Sequence, residues 1–160
     1  MTVPIKRFLP VFFLFSFLVL SGCGGGGSSS GVVGQPHATA YAGQYDGVLT
    51  FSASGFGASV SDSFAYRVVV GLDGLVSAST PGFSGTGTCS DGPDVYLSGN
   101  VASATATITC SFPEVGNCSV PATERLVFGN SAVSLSGSAT YYCEGGTFSA
   151  TVSAYLTKTK

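Results

Sequence analysis

Charged residues make up only 9% of this 160-residue chain, which has no tryptophan, one methionine and one histidine, His37. A typical protein has about a quarter of its residues charged. Apart from Lys6 and Arg7 near the start, the cations are Arg67, Arg125, Lys158 and Lys160, set against eight acids. With so few, no basic face can form to neutralise phosphates, so nucleic acid is excluded as a partner. A Ser-His-Asp nucleophile needs an imidazole held within hydrogen-bond reach. His37 follows Pro36 in a glycine- and serine-rich stretch that cannot hold it, so it reads as a linker residue.

The acids offer little more. Glycoside hydrolysis needs two carboxyl groups about 5 to 9.5 Å apart. Asp46, Asp73 and Asp91 each precede glycine and Glu144 precedes Gly145-Gly146, so turn chemistry accounts for four of them. Asp62, Asp94 and Glu114 are expected in loops. Glu124 alone is placed to point inward, and it reads as a strand-end residue turning to water. The run Asp91-Gly92-Pro93-Asp94 lacks the ligand count of a calcium loop and reads as a turn. No metal site and no cofactor are expected.

At the start, Lys6 and Arg7 precede an apolar run from Phe8 to Leu20, which ends in Leu20-Ser21-Gly22-Cys23. The run has about 13 residues where a membrane-crossing helix needs roughly 20, so a cleaved export signal over 1–22 is favoured. The last four residues resemble the lipobox of bacterial lipoproteins. That resemblance implies acylation of Cys23, with diacylglycerol on the thiol and a fatty acid such as palmitate on the new amino terminus. Two or more acyl chains anchor a protein stably. Gly24 stands where enterobacterial lipoproteins kept at the inner membrane have Asp, so the resemblance implies a lipid-anchored place in the cell envelope, at the outer membrane. Residues 23–42, rich in glycine and serine, read as a tether.

Residues 43–160 make one domain of about 115 residues. Glycine, serine and threonine mix there with valine, alanine and aromatics, and apolar residues alternate with period two. Leu49, Phe51 and Ala53 share a face, as do Phe64, Tyr66, Val68 and Val70, then Val133, Leu135, Ala139, Tyr141 and Cys143, then Phe148, Ala150, Val152, Ala154 and Leu156. These are half-buried antiparallel strands. Eight are expected, over 45–54, 63–71, 75–80, 86–98, 101–110, 122–129, 131–143 and 147–158.

Turn signals between them set registers that the faces can check. A two-residue turn at Gly99-Asn100 pairs Ser98 with Val101, Leu97 with Ala102, Val95 with Ala104, and Cys89 with Cys110. The cysteines fall on a non-hydrogen-bonded pair, within disulfide reach. A three-residue turn with Gly74 left-handed pairs Val70 with Val76. A turn at Gly145-Gly146 pairs Cys143 with Phe148, Tyr141 with Ala150 and Ala139 with Val152. A turn at Gly129-Asn130 sets Glu124 beside Leu135 and Cys118 opposite Tyr141, and a bulge near Pro121 would bring Cys118 to Cys143, its remaining partner. In an exported chain these four cysteines form two disulfides. Their gaps are too wide for a zinc site.

Eight strands joined by short connections make an up-and-down meander, which loses its bare edges by closing into a barrel. Such a barrel resembles the lipocalin and avidin class in architecture alone. The alternative is a two-sheet sandwich. If it encloses a cavity, Phe51, Phe64, Tyr66, Phe128, Tyr141 and Phe148 line it. Outward-facing Tyr96, Tyr142 and Tyr155, with Val69 and Val127, form a candidate docking patch. The functional expectation is a membrane-anchored envelope lipoprotein whose domain is a non-enzymatic binding or structural module for a protein, glycan or small apolar ligand. The alternative is a hydrolase using carboxylates at a barrel mouth.

Overall fold

A computed structural model describes residues 38–55, 57–81, 88–90, 92–113 and 115–160. The signal, Cys23, His37, Asp91 and Glu114 lie outside these. A one-turn helix, α1 (Ala38–Tyr41), leads into nine strands: β1 (Gly43–Gly55), β2 (Ala58–Val70), β3 (Leu75–Ser79), β4 (Thr88–Cys89), β5 (Val95–Tyr96), β6 (Val101–Phe112), β7 (Gly116–Phe128), β8 (Ala132–Cys143) and β9 (Gly146–Lys158). Tyr41 packs on Phe128, with ring centroids 5.9 Å apart, so the packed domain takes in the end of the stretch read as tether.

All pairings are antiparallel and form one sheet in the order β4-β6-β7-β8-β9-β1-β2-β3-β5. The sheet curls strongly into an open half-barrel and does not close, which corrects the expected eight-stranded barrel. The first and last long strands do pair, from Tyr45↔Lys158 to Gly55↔Phe148. The opening lies at the expected strand 86–98, which is split. Its first part, β4, adds to β6 and its second, β5, adds to β3, at opposite ends of the sheet. Pro93, between the two, has no N–H to donate to a ladder. Among the described residues, the side of β2 away from β1 is paired only over Arg67–Val70.

The turns explain which registers held. At Gly74 (φ 83°) the left-handed residue gives Val70↔Val76 and Val68↔Ala78, as expected. At Gly99-Asn100, Ser98 and Val101 exchange both backbone hydrogen bonds (2.8 and 3.1 Å), and Cys89↔Cys110 follows nine residues on. Between these, Leu97↔Ala102 and Val95↔Ala104 do not form. Val95 instead pairs with Val76, and the Leu97 N–H donates to the Gly74 carbonyl at 3.0 Å. The β8–β9 connection is Glu144-Gly145 rather than Gly145-Gly146, giving Cys143↔Gly146, Tyr141↔Phe148 and Ala139↔Ala150. A slip of two residues keeps every side chain on its face, so facing alone could not exclude it. The β7–β8 turn is longer than expected, closed by Gly129 N–H to Ala132 O at 2.8 Å, and pairs Phe128↔Val133, Leu126↔Leu135 and Glu124↔Gly137. No bulge is needed: the ladder skips Val120 and Pro121, resumes in the same register at Ser119↔Tyr142 and so reaches Cys118↔Cys143.

The inner face of the curl is the core. Tyr45, Leu49, Tyr66, Val68, Val76, Val120, Leu126, Phe128, Val133 and Leu156 are almost wholly buried there. The outer face is coated with hydroxyls. One row crosses six strands as Thr105, Thr123, Ser138, Thr151, Ser52 and Ser61, each the register partner of the next. Two neighbouring pairs in it, Ser52 with Ser61 and Thr123 with Ser138, are hydrogen-bonded at 3.1 Å.

Candidate functional site

The concave face brings together one half-buried carboxyl and one buried phenol. Glu124 lies on β7 in a transverse row that runs Ala104, Glu124, Gly137, Val152, Phe51 across β6, β7, β8, β9 and β1. Its two flanking positions are small, which leaves room for the longer side chain. The Tyr66 hydroxyl lies beside the Glu124 carboxyl, near enough to favour its charged form. Tyr66 is on β2, four strands along the sheet from β7, so only the curl brings the two within reach. The expectation that Glu124 turns to water is therefore corrected. Four residues before the end of β7, its Cα–Cβ bond points to the concave face that Ala122 and Leu126 share.

Burial pushes the Glu124 carboxyl up to about 7, and the hydrogen bond from Tyr66 partly offsets that. The Tyr66 hydroxyl is raised well above its ordinary value, first by burial and then by the neighbouring Glu124 charge. Near neutral pH the pair thus exists in two forms, a carboxylic acid beside a phenol or a carboxylate accepting from it.

Gly137 is part of this arrangement. A Cβ there would lie 2.9 Å from Val152 Cγ2, 3.0 Å from the Thr123 carbonyl oxygen and 3.5 Å from Glu124 Cγ. Gly137→Ala should therefore cost about 1–3 kcal/mol by overpacking, read as a lower urea midpoint at unchanged slope. An unchanged midpoint would show that the interior beside Glu124 is looser than described.

The other acids do not join this pair. Asp46 is not in a turn but in β1, on the outer face, where its carboxylate accepts from Arg67 Nε (2.7 Å), Gln44 Nε2 (2.6 Å) and Thr159 Oγ1 (2.6 Å). Hydrogen bonds from Thr159, Gln44 and Arg67, in that order of weight, lower its carboxyl to about 2. This network fastens the C-terminal segment to β1 and β2. Asp62 is an exposed residue of β2 rather than of a loop, and Asp73 sits in the β2–β3 turn, accepting from the Leu75 N–H at 3.0 Å. Asp94 is exposed just before β5, and Glu144 accepts from Asn117 Nδ2 at 3.3 Å in the β8–β9 connection.

Of the residues expected to line an interior site, Phe51, Tyr66, Phe128, Tyr141 and Phe148 are buried on the concave face and Phe64 is half-buried. The rings gather at two ends. Tyr141 stacks on Phe148 (centroids 4.3 Å apart) with Phe112 tilted against it at 6.2 Å, while Phe128 meets Tyr45 edge-on at 5.4 Å. The tyrosines expected as a docking patch are exposed but dispersed. Tyr142 is opposite Thr147 on β9, and Tyr155 lies about 26 Å further along that strand at the usual rise per residue.

The cysteines pair as Cys89–Cys110, between β4 and β6, and Cys118–Cys143, between β7 and β8, each with Cα atoms 4.0 Å apart. Among the described residues no cluster of three or more His, Cys, Asp or Glu is arranged to hold a metal ion.

Fold and site together define a disulfide-stapled, all-β half-barrel with a hydroxyl-coated outer face and a carboxyl–phenol pair inside. In comparison with known proteins, the chain matches no family model and no curated sequence.

Proposed function

We propose that this chain is an acyl-anchored envelope lipoprotein whose half-barrel is a non-enzymatic binding or structural module, held off the membrane by the glycine- and serine-rich stretch that follows Cys23. The observation that carries the reading is the pair of inter-strand disulfides. Such bonds form and persist in oxidising compartments outside the cytoplasm, the destination that the basic flank, the apolar run and Leu20-Ser21-Gly22-Cys23 specify. The domain would present to its surroundings a nearly uncharged hydroxyl face suited to a neutral protein or glycan partner, while the aromatic interior would suit a small apolar one. A hydrolase of the two-carboxylate kind would need a second acid beside Glu124, and the group beside it is the Tyr66 phenol.

The intact mass of the chain from its native membrane fraction tests the anchor. The expected result is a chain starting at Cys23 with the added mass of a diacylglycerol and an amide-linked fatty acid, and Cys23→Ala should abolish both the acylation and the cleavage. A soluble chain starting at or after residue 23 with no acyl mass would overturn the proposal.

A further inference from the structure

The two disulfides are not separate staples. Cys89 is the register partner of Cys110, Cys110 of Cys118, and Cys118 of Cys143, so the four cysteines form one transverse row across β4, β6, β7 and β8 on the concave face. Cys110 and Cys118, the inner two, are buried, while Cys89 and Cys143 are half-buried.

In an antiparallel sheet, a residue that forms a non-hydrogen-bonded pair with one neighbour forms a hydrogen-bonded pair with the other, because its N–H and C=O point to the same side. The Ser90 N–H donates to the Thr109 carbonyl at 2.8 Å, so Cys89 and Cys110, one residue on, are a non-hydrogen-bonded pair. The Cys110↔Cys118 pair is then hydrogen-bonded, with Cα atoms about 5.5 Å apart. That separation lies at the usual value for a disulfide, and both side chains are on the same face. The middle pair is thus within Cα range of a bond, and because side chains of a hydrogen-bonded pair stand further apart than those of the two outer pairs, joining it requires β6 and β7 to draw together locally.

We propose that the row is a single thiol–disulfide exchange site whose substrate is a dithiol, and whose two-electron-reduced form carries a Cys110–Cys118 bond. The first step is attack by one thiolate of the dithiol on Cys89 Sγ, which the half-buried edge strand leaves accessible. The Cys89–Cys110 bond breaks, a mixed disulfide forms at Cys89, and Cys110 leaves as a thiolate. A thiolate in apolar surroundings is unfavourable. It attacks Cys118 Sγ along the line of the row, breaking Cys118–Cys143 and expelling the Cys143 thiolate, which takes a proton at the half-buried end. The second thiol of the substrate then resolves the mixed disulfide and frees Cys89. Two electrons and two protons pass from the dithiol, which becomes a disulfide, to Cys89 and Cys143, which end as thiols. Attack at Cys143 runs the row in reverse and reaches the same product. Charge moves from a buried sulfur to a half-exposed one, which favours the transfer.

The test is limited reduction of the folded, oxidised chain with dithiothreitol, quenched with acid and iodoacetamide, then non-reducing digestion with a glutamate-specific endoproteinase, which cuts after Glu114 between the two inner cysteines. The expected two-thiol species is alkylated at Cys89 and Cys143 and holds a peptide pair joined through Cys110 and Cys118. Alkylation at Cys89 and Cys110, or at Cys118 and Cys143, with the other native bond intact would overturn the proposal. So would passage to four thiols with no two-thiol species. A second measurement uses C89A/C143A. Air oxidation of the folded variant should make it lighter by two hydrogens through a Cys110–Cys118 bond, and two persistent thiols in the folded variant would sink the idea.

Discussion

Replacing Glu124 with glutamine should flatten the dependence of stability on pH and stabilise the protein on the alkaline side. The Glu124 carboxyl has an ordinary value of 4.5 and is raised to about 7 in the folded chain. The folded state therefore holds this proton more tightly than the unfolded state. Its contribution to stability is fully present below about pH 4.5 and is lost as the pH rises through 7. Over that window the loss amounts to about 3 kcal/mol. The amide of E124Q would keep an acceptor for Tyr66 without a charge to desolvate. E124Q and the parent should thus unfold at similar urea concentrations near pH 4 and diverge by about 2–3 kcal/mol at pH 8. The other shifted carboxyl, Asp46, is lowered to about 2. Its stabilisation is present above its ordinary 3.8 and is lost only as the pH falls toward 2, so it leaves the Glu124 window clear. Tyr66→Phe should act in the opposite sense to E124Q, because a carboxylate without its donor is costlier to bury. Parallel pH profiles for parent and E124Q would place Glu124 in water.

Removing both disulfides should consume most of the stability of the domain. The bonds close loops with sequence separations of 21 and 25. In the chain-entropy treatment each constrains the unfolded chain by about 3 kcal/mol, against a total of about 5–15 kcal/mol for a domain of this size. Because Cys110 and Cys118 are neighbours, the two effects need not add in full, and a loss of about 4–6 kcal/mol is expected for C89A/C110A/C118A/C143A in urea unfolding. The bonds also differ locally. Among the described residues, strand β4 is held to β6 by the Thr88↔Ser111 and Cys89↔Cys110 pairs and the adjoining Ser90–Thr109 hydrogen bonds, whereas β7 and β8 share a long ladder. C89A/C110A should therefore speed hydrogen exchange at the Ser90 amide while leaving the Arg125 amide region protected, and C118A/C143A should leave Ser90 slow. Equal acceleration at both places in either double variant would contradict this division.

Much of the fold was legible because it rests on short-range rules. The alternation in Leu49-Thr50-Phe51-Ser52-Ala53 assigns each side chain a face from its neighbours alone, and the tight turns at Gly74 and Gly99-Asn100 set their registers within a few residues. The Cys89–Cys110 bond followed from one of them. The registers differ from expectation where a connection admits more than one length. Glu144-Gly145 and Gly145-Gly146 differ by a slip of two residues, which preserves facing, and Gly129 to Ala132 makes a longer turn than its Gly-Asn pair signals. The candidate site was less legible still. Glu124 was visible as the one acid able to point inward, but nothing near it in the chain names Tyr66, which stands 58 positions earlier.

By itself the amino-acid sequence determined an all-β chain of antiparallel strands, each with an apolar and a hydroxyl face, because period-two alternation and glycine-bearing turns act locally. Tertiary structure alone decided where the curl stays open, that Glu124 turns inward beside a phenol from a distant strand, and that four cysteines line up in one row. Each of these depends on how far the sheet bends and on the β6–β7 register. Bending and register are set by the packing of many side chains at once, so no single segment encodes them.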